Sequence, residues 1–158
     1  MLRAMTINDL IQLEAPYFHI AVGDTALLYN LKVQAKELNK TEFKVIRGQK
    51  CKSVTGLLNE WAAFDECLND LEWLPADSYI LTITNSQLIF KWRKRDFKDL
   101  INTLKNAVQE WTGGRCYDSF PTHPTPFHII FQCNELHIEA FQKKLIKAGI
   151  EELSIIQL

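Results

Sequence analysis

The chain has 158 residues, is 47% hydrophobic and 23% charged, and carries a formal net charge of −1. Those values exclude a charged disordered tail, a globally basic nucleic-acid binder and, with six Gly and five Pro, a linker-like or collagen-like chain. A domain of this size buries roughly 68–70% of its unfolded surface and needs neither disulfide nor metal to fold.

No apolar run approaches the ~18–20 residues of a membrane span, and the opening Met1–Asp9 lacks the apolar stretch of a signal peptide. The expectation is a cytoplasmic protein with no membrane partner. Cys51, Cys67, Cys116 and Cys133 are widely spaced, without a CxxC pair, which fits free thiols in a reducing compartment.

In chain order, Tyr17–Val22 is aromatic and β-branched and stops at Gly23-Asp24, so it predicts a strand and a turn. Residues 25–39 fit either a helix or a strand. Phe43–Ile46, stopped by Gly48, predicts a second strand. The period then changes to three and four at Val54, Leu57, Leu58, Trp61, Phe64, Leu68 and Leu71, an amphipathic helix with Ser53 as N-cap and Pro75 beyond its end. Tyr79–Thr84 is an apolar run suited to a strand buried on both faces. Asn85-Ser86 predicts a turn, and Gln87–Phe90 a pairing or continuing strand.

Asp96 opens a second helix with a stripe at Phe97, Leu100, Ile101, Leu104, Ala107, Val108 and Trp111, ended by Gly113-Gly114. A proline-rich loop, Tyr117–Pro126, leads to a buried strand at Phe127–Gln132. Asn134 is expected to cap a last helix that turns Leu136, Ile138, Phe141, Leu145 and Ile146 inward, and Leu153–Leu158 to form a last strand. Strands alternating with helices predict an α/β fold with a mainly parallel central sheet and flanking helices.

The charge is segregated. Between Lys52 and Lys91 there is no Lys or Arg, and Glu60, Asp65, Glu66, Asp70, Glu72 and Asp77 give that interval −6. The remainder holds 18 basic and 13 acidic residues, or +5. Glu66 and Asp70, four apart, share the outward face of the first helix near Ala62 and Ala63. Like charges at that spacing cost an isolated helix about 0.2–0.5 kcal/mol. A solvated face is the ordinary reading of such a run. The sharper one is a docking surface for a basic protein, where Ala permits close approach and carboxylates steer association.

Other chemistry finds less support. No GxxxxGK, GxGxxG or GxSxG pattern is present. Cys116, His123, His128 and Cys133 could be proposed as zinc ligands. They match no tight ligand spacing, however, and His128 and Cys133 fall on opposite faces of a strand, so no metal or other cofactor is expected. Cys67 lies among carboxylates, which disfavour its thiolate, and adjacent Asp65 and Glu66 point about 100° apart on a helix. Neither makes a catalytic site, and the chain is not expected to be an enzyme. Lys91-Trp-Arg-Lys-Arg95 could grip RNA, but it is short and follows an acidic stretch.

From Phe43 to Gln132 the chain resembles the barstar (barnase inhibitor) family. Phe43–Gly48, Val54–Ala62, the strand Tyr79–Thr84, the helix ending at Trp111 and the strand Phe127–Phe131 carry the likeness. Its specific part is Phe64-Asp-Glu-Cys-Leu-Asn-Asp-Leu-Glu-Trp73, which is similar to the family's second helix. The resemblance implies a barstar-like domain at 43–133, with 1–42 as an N-terminal extension packed on it and 134–158 as a further helix and strand. It implies an intracellular inhibitor, or immunity protein, of a basic ribonuclease, such as a secreted or contact-delivered toxin, with carboxylates standing where RNA phosphates would bind.

Carried over by position, Asp65 and Glu66 occupy the carboxylate-bearing stretch, followed by Asp70 and Glu72, with Trp61, Ala62 and Ala63 alongside. The family places a loop rich in Tyr, Gly, Asn, Trp and Asp between its first two helices; here Trp61-Ala-Ala-Phe64 reads as continuous helix. Two alternatives stay open at this point. One is a regulatory interaction module with a barstar-like fold that has lost nuclease binding. The other is an RNA-binding protein using residues 91–95.

Overall fold

The computed structural model of the protein describes residues 15–27, 41–47, 68–69, 71, 76–91, 94–115 and 121–158. Among the described residues five strands form one sheet: β1 (Phe18–Val22), β2 (Thr41–Arg47), β3 (Tyr79–Thr84), β4 (Phe127–Cys133) and β5 (Leu153–Gln157). Their order across the sheet is β2-β3-β4-β1-β5. Every neighbouring pair is parallel, which makes the sheet an α/β one as the alternating pattern predicts. Parallel neighbours need a long crossover. Helix α1 (Lys94–Gly113) supplies it between β3 and β4, and helix α2 (Ile138–Lys147) lies between β4 and β5. The first described strand, β1, sits inside the sheet, between β4 and β5.

β1, β3 and β4 are buried along their whole length, whereas β5, at the edge, buries only Ile156. Register separates two faces. Phe18, Ile20, Leu81, Ile83, Ile129 and Phe131 join the α1 stripe and Phe141 of α2 in one apolar core. All seven stripe positions, from Phe97 to Trp111, are buried, as the three-and-four spacing requires. The opposite face holds Ile80, His128, His19, Ile130, Gln132 and Ile156. It is buried yet carries most of the interior polar groups.

Gln132, 0% exposed, is the clamp at the carboxyl ends of the strands. Its Oε1 accepts from the Asn85 N–H (2.7 Å), and its Nε2 donates to the Gly23 carbonyl (2.6 Å). Both partners lie in turns of unusual backbone, Asn85 at φ 52° and Gly23 at φ 143°. One buried amide thus satisfies a donor and an acceptor that strand pairing leaves over.

Three local expectations are corrected. Gln87–Phe90, expected to pair or continue as a strand, lies in a 3-10 helix, Ser86–Lys91, begun by Ser86 Oγ donating to the Ile83 carbonyl (2.9 Å). Asn134 precedes a 3-10 turn at Glu135–His137 with no side-chain cap, and the α-helix proper starts at Ile138. Leu136 and Ile146, expected inward, are 92% and 54% exposed. With the helix beginning at Ile138, its inward row runs Ile138, Phe141, Leu145. Leu136 falls in the preceding turn, and Ile146 stands about 100° around from Leu145.

Candidate partner-binding surface

The seven residues expected to meet a partner, Trp61, Ala62, Ala63, Asp65, Glu66, Asp70 and Glu72, lie outside the described residues. The structure describes what holds their segment. Leu68 and Leu71, two of its predicted inward positions, are buried in the core. The indole Nε1–H of Trp111 donates to the Leu68 carbonyl (2.8 Å), and Arg115 Nη2 donates to the Asn69 carbonyl (2.6 Å). Arg115 is itself fixed by Glu110, 3.3 Å from its Nε, and its guanidinium stands 5.6 Å from the centre of the Trp111 ring. A charged head laid on an aromatic face, ion-paired with a carboxylate and bonded to a backbone carbonyl has few other orientations to adopt. Asp77, the last acid of the run, is exposed.

These anchors depend on how α1 ends. Gly114 adopts φ +72°, which reverses the chain after Trp111. A Cβ there would stand 2.9 Å from the Thr122 carbonyl and from the Pro124 nitrogen. The missing side chain lets the proline-containing loop fold back. Arg115 and Thr122 exchange backbone hydrogen bonds of 3.0 and 2.9 Å, and the Thr125 N–H donates to the Trp111 carbonyl (2.7 Å).

Of the four cysteine and histidine positions weighed as metal ligands, Cys116 lies outside the described residues and His123 is exposed in the loop. His128 and Cys133 stand on opposite faces of β4, as period-two counting predicts, with Cys133 in the apolar core. Burial pushes the Cys133 thiol up to about 11, which keeps it protonated and unreactive. Of the basic cluster 91–95, Lys94 and Arg95 open α1 and are exposed, two residues earlier than the expected start at Asp96.

One polar constellation was missed in the sequence. His19 on β1 is hydrogen-bonded through Nδ1 to Ser154 Oγ on β5, and its Nε2 lies 2.9 Å from His128 Nδ1 on β4. Both rings are buried, at 0% and 1% exposure, and the Tyr17 ring lies 5.2 Å from that of His128. Burial, and for His19 the neighbouring His128, lowers the two pKa values to about 3 and about 4. Both imidazoles are therefore neutral at pH 7, and His128 Nε2 has no hydrogen-bond partner among the described residues. The signal was present as a repeated tripeptide, Phe18-His-Ile20 and Phe127-His-Ile129. The observed register sets the two copies two residues apart, so the histidines meet diagonally.

A scan against protein-family models finds the barstar (barnase inhibitor) model matching residues 55–132. A search of curated proteins finds no match. The matched stretch takes in the acidic run from Glu60 onward, β3, α1 and nearly all of β4, while β1 and β5 lie outside it. The parallel order β3-α1-β4 and the Trp111 bond to Leu68 both fall within this match, and over residues 55–132 the chain is similar to the barstar (barnase inhibitor) family.

Proposed function

We propose that the protein is an intracellular inhibitor of a basic ribonuclease and that it acts by docking its acidic segment over the nuclease's phosphate-binding cleft. The observation that carries this reading is the coincidence of the family match at 55–132 with the −6 run between Lys52 and Lys91. A nuclease cleft is built to hold phosphates, so a surface carrying Asp65, Glu66, Asp70 and Glu72 offers it the same sign of charge in a form it cannot cleave. The family is one of inhibitors, and the proposed role needs no catalytic group or cofactor.

Leu68 and Leu71 in the core, with the Trp111 and Arg115 hydrogen bonds, hold the backbone on either side of Asp70 in one place. A carboxylate carried on a backbone so held would lose little freedom on binding, which would favour affinity. Among the described residues no helix is long and apolar enough to cross a membrane.

The test is cleavage of RNA by barnase with the protein added at increasing ratio. Suppression that saturates near one inhibitor per enzyme supports the reading. Undiminished cleavage at a large excess of the protein contradicts it.

A further inference from the structure

α1 and α2 enclose a groove of about 560 Å³ whose walls carry Lys94 and Lys98 from α1 and Lys143, Lys144 and Lys147 from α2. Its apolar lining comes from Phe97, Ala140 and Ala148. Among the described residues no carboxylate lines it, although Asp96, Asp99 and Glu139 are on the same two helices. Lys94, Lys98, Lys143 and Lys147 are exposed and form no ion pair among the described residues. Lys144 is half-buried, with its Nζ 4.7 Å from the centre of the Phe97 ring.

Helix stability accounts for only part of this arrangement. Lys144 and Lys147 lie in the last turn of α2, where cations suit the negative end of the helix dipole. Lys94, Arg95 and Lys98 lie in the first turns of α1, at its positive end, where cations are unfavourable. The sequence cluster ending at Arg95 is thus extended in space by lysines fifty residues away, and the concentration of like charge opposes folding rather than assisting it.

We propose that this groove binds the phosphate backbone of a single-stranded nucleic acid without sequence preference. A polyanion matches the sign and the row of charges. Small-ligand sites hold their ligand with a few buried, fixed polar groups, whereas here four of the five cations are exposed, which suits a chain lying along the groove. Lysines act as point charges and lack the forked geometry that reads guanine, so base identity is not sensed. Packed helices lie about 8–10 Å axis to axis, so the groove between them suits one sugar–phosphate strand rather than a duplex. Burial desolvates Lys144 and lowers its pKa, and a phosphate beside it would favour the charged form. The site is separate from the acidic segment and is tested on the protein alone, without a nuclease.

Fluorescence anisotropy with a labelled 20-nucleotide oligouridine tests it. Binding should be detectable at 50 mM salt and weaken with a log–log slope of about −3, corresponding to four or five phosphate contacts. The K94Q/K98Q/K143Q/K147Q variant should lose binding at least tenfold while melting at the same temperature, and the four corresponding Lys→Arg changes should retain it. A control that adds negative charge elsewhere on α1, N102D/N106D/Q109E, should bind like the wild type. The proposal is overturned if the wild type leaves the anisotropy unchanged or if the Lys→Gln variant binds equally well. It is also overturned if a poly-glutamate peptide or an anionic phospholipid vesicle competes as effectively as unlabelled oligouridine.

Discussion

The indole N–H of Trp111 reaches 43 residues back along the chain and donates to the Leu68 carbonyl. Through this bond the end of α1 holds the backbone at Leu68, which lies between Glu66 and Asp70 in the sequence. Trp111→Phe keeps an aromatic ring in the core and removes the donor, leaving a buried carbonyl unpaired. The expected loss is about 1–3 kcal/mol in urea-induced unfolding at constant m-value. An unchanged midpoint would mean that the bond adds nothing to holding the segment.

Gln132 joins the turns after β1 and β3 through a single amide. Gln132→Leu preserves approximate volume but strands the Asn85 N–H and the Gly23 carbonyl. Each lost partner costs about 1–3 kcal/mol, so the variant should be destabilised by at least 2 kcal/mol in calorimetry or denaturant titration.

Gly114→Ala sets a methyl against backbone atoms 2.9 Å away at a positive φ. Neither the Thr122 carbonyl nor Pro124 is a flexible chain end that could move aside. The substitution should cost more than the ~1 kcal/mol of an ordinary Gly-to-Ala mismatch, and amide exchange at Arg115 and Thr125 should accelerate. By contrast, Leu136→Ala and Ile146→Ala, at exposed positions, should stay within about 0.5 kcal/mol of the wild type.

Stability should fall with acid in a defined window. The folded pKa values of His19 and His128, about 3 and about 4, lie below the ordinary 6.5 of an unfolded chain. Below pH 6.5 the unfolded state therefore binds protons that the folded state refuses. The contribution is complete above pH 6.5 and is lost as pH falls towards 4, at up to about 1.4 kcal/mol per pH unit for each histidine. Unfolding free energies measured between pH 7.5 and 4.5 should show this slope. The imidazole resonances of His19 and His128 should not titrate above pH 5.

Much of the architecture is legible in the sequence because periodicity reports burial directly. Tyr79–Thr84 and the seven-residue stripe of α1 appear where the apolar spacing puts them. Where the reading failed, the deciding interaction lay outside the segment. Gln87–Phe90 has strand-like composition, but it follows a positive-φ Asn85 and a Ser86 that bonds back to Ile83, so the backbone coils. Leu136 is apolar but lies before the first turn of α2. The His19–His128–Ser154 chain was invisible for a related reason. Its members are up to 135 residues apart, and only the sheet order β4-β1-β5 brings them together. The acidic run was legible as charge, and the family match sets beside it a likeness to barnase inhibitors; the seven predicted contact residues themselves lie outside the described residues.

The central claim is that the acidic segment is the docking face. Its most direct test is the association rate with barnase by stopped flow, from low to high salt, for the wild type and for Glu66→Lys/Asp70→Lys. The account predicts a rate that falls steeply with salt and is about tenfold or more lower in the double variant, at an unchanged melting temperature. An association rate indifferent both to salt and to the charge reversal would contradict it.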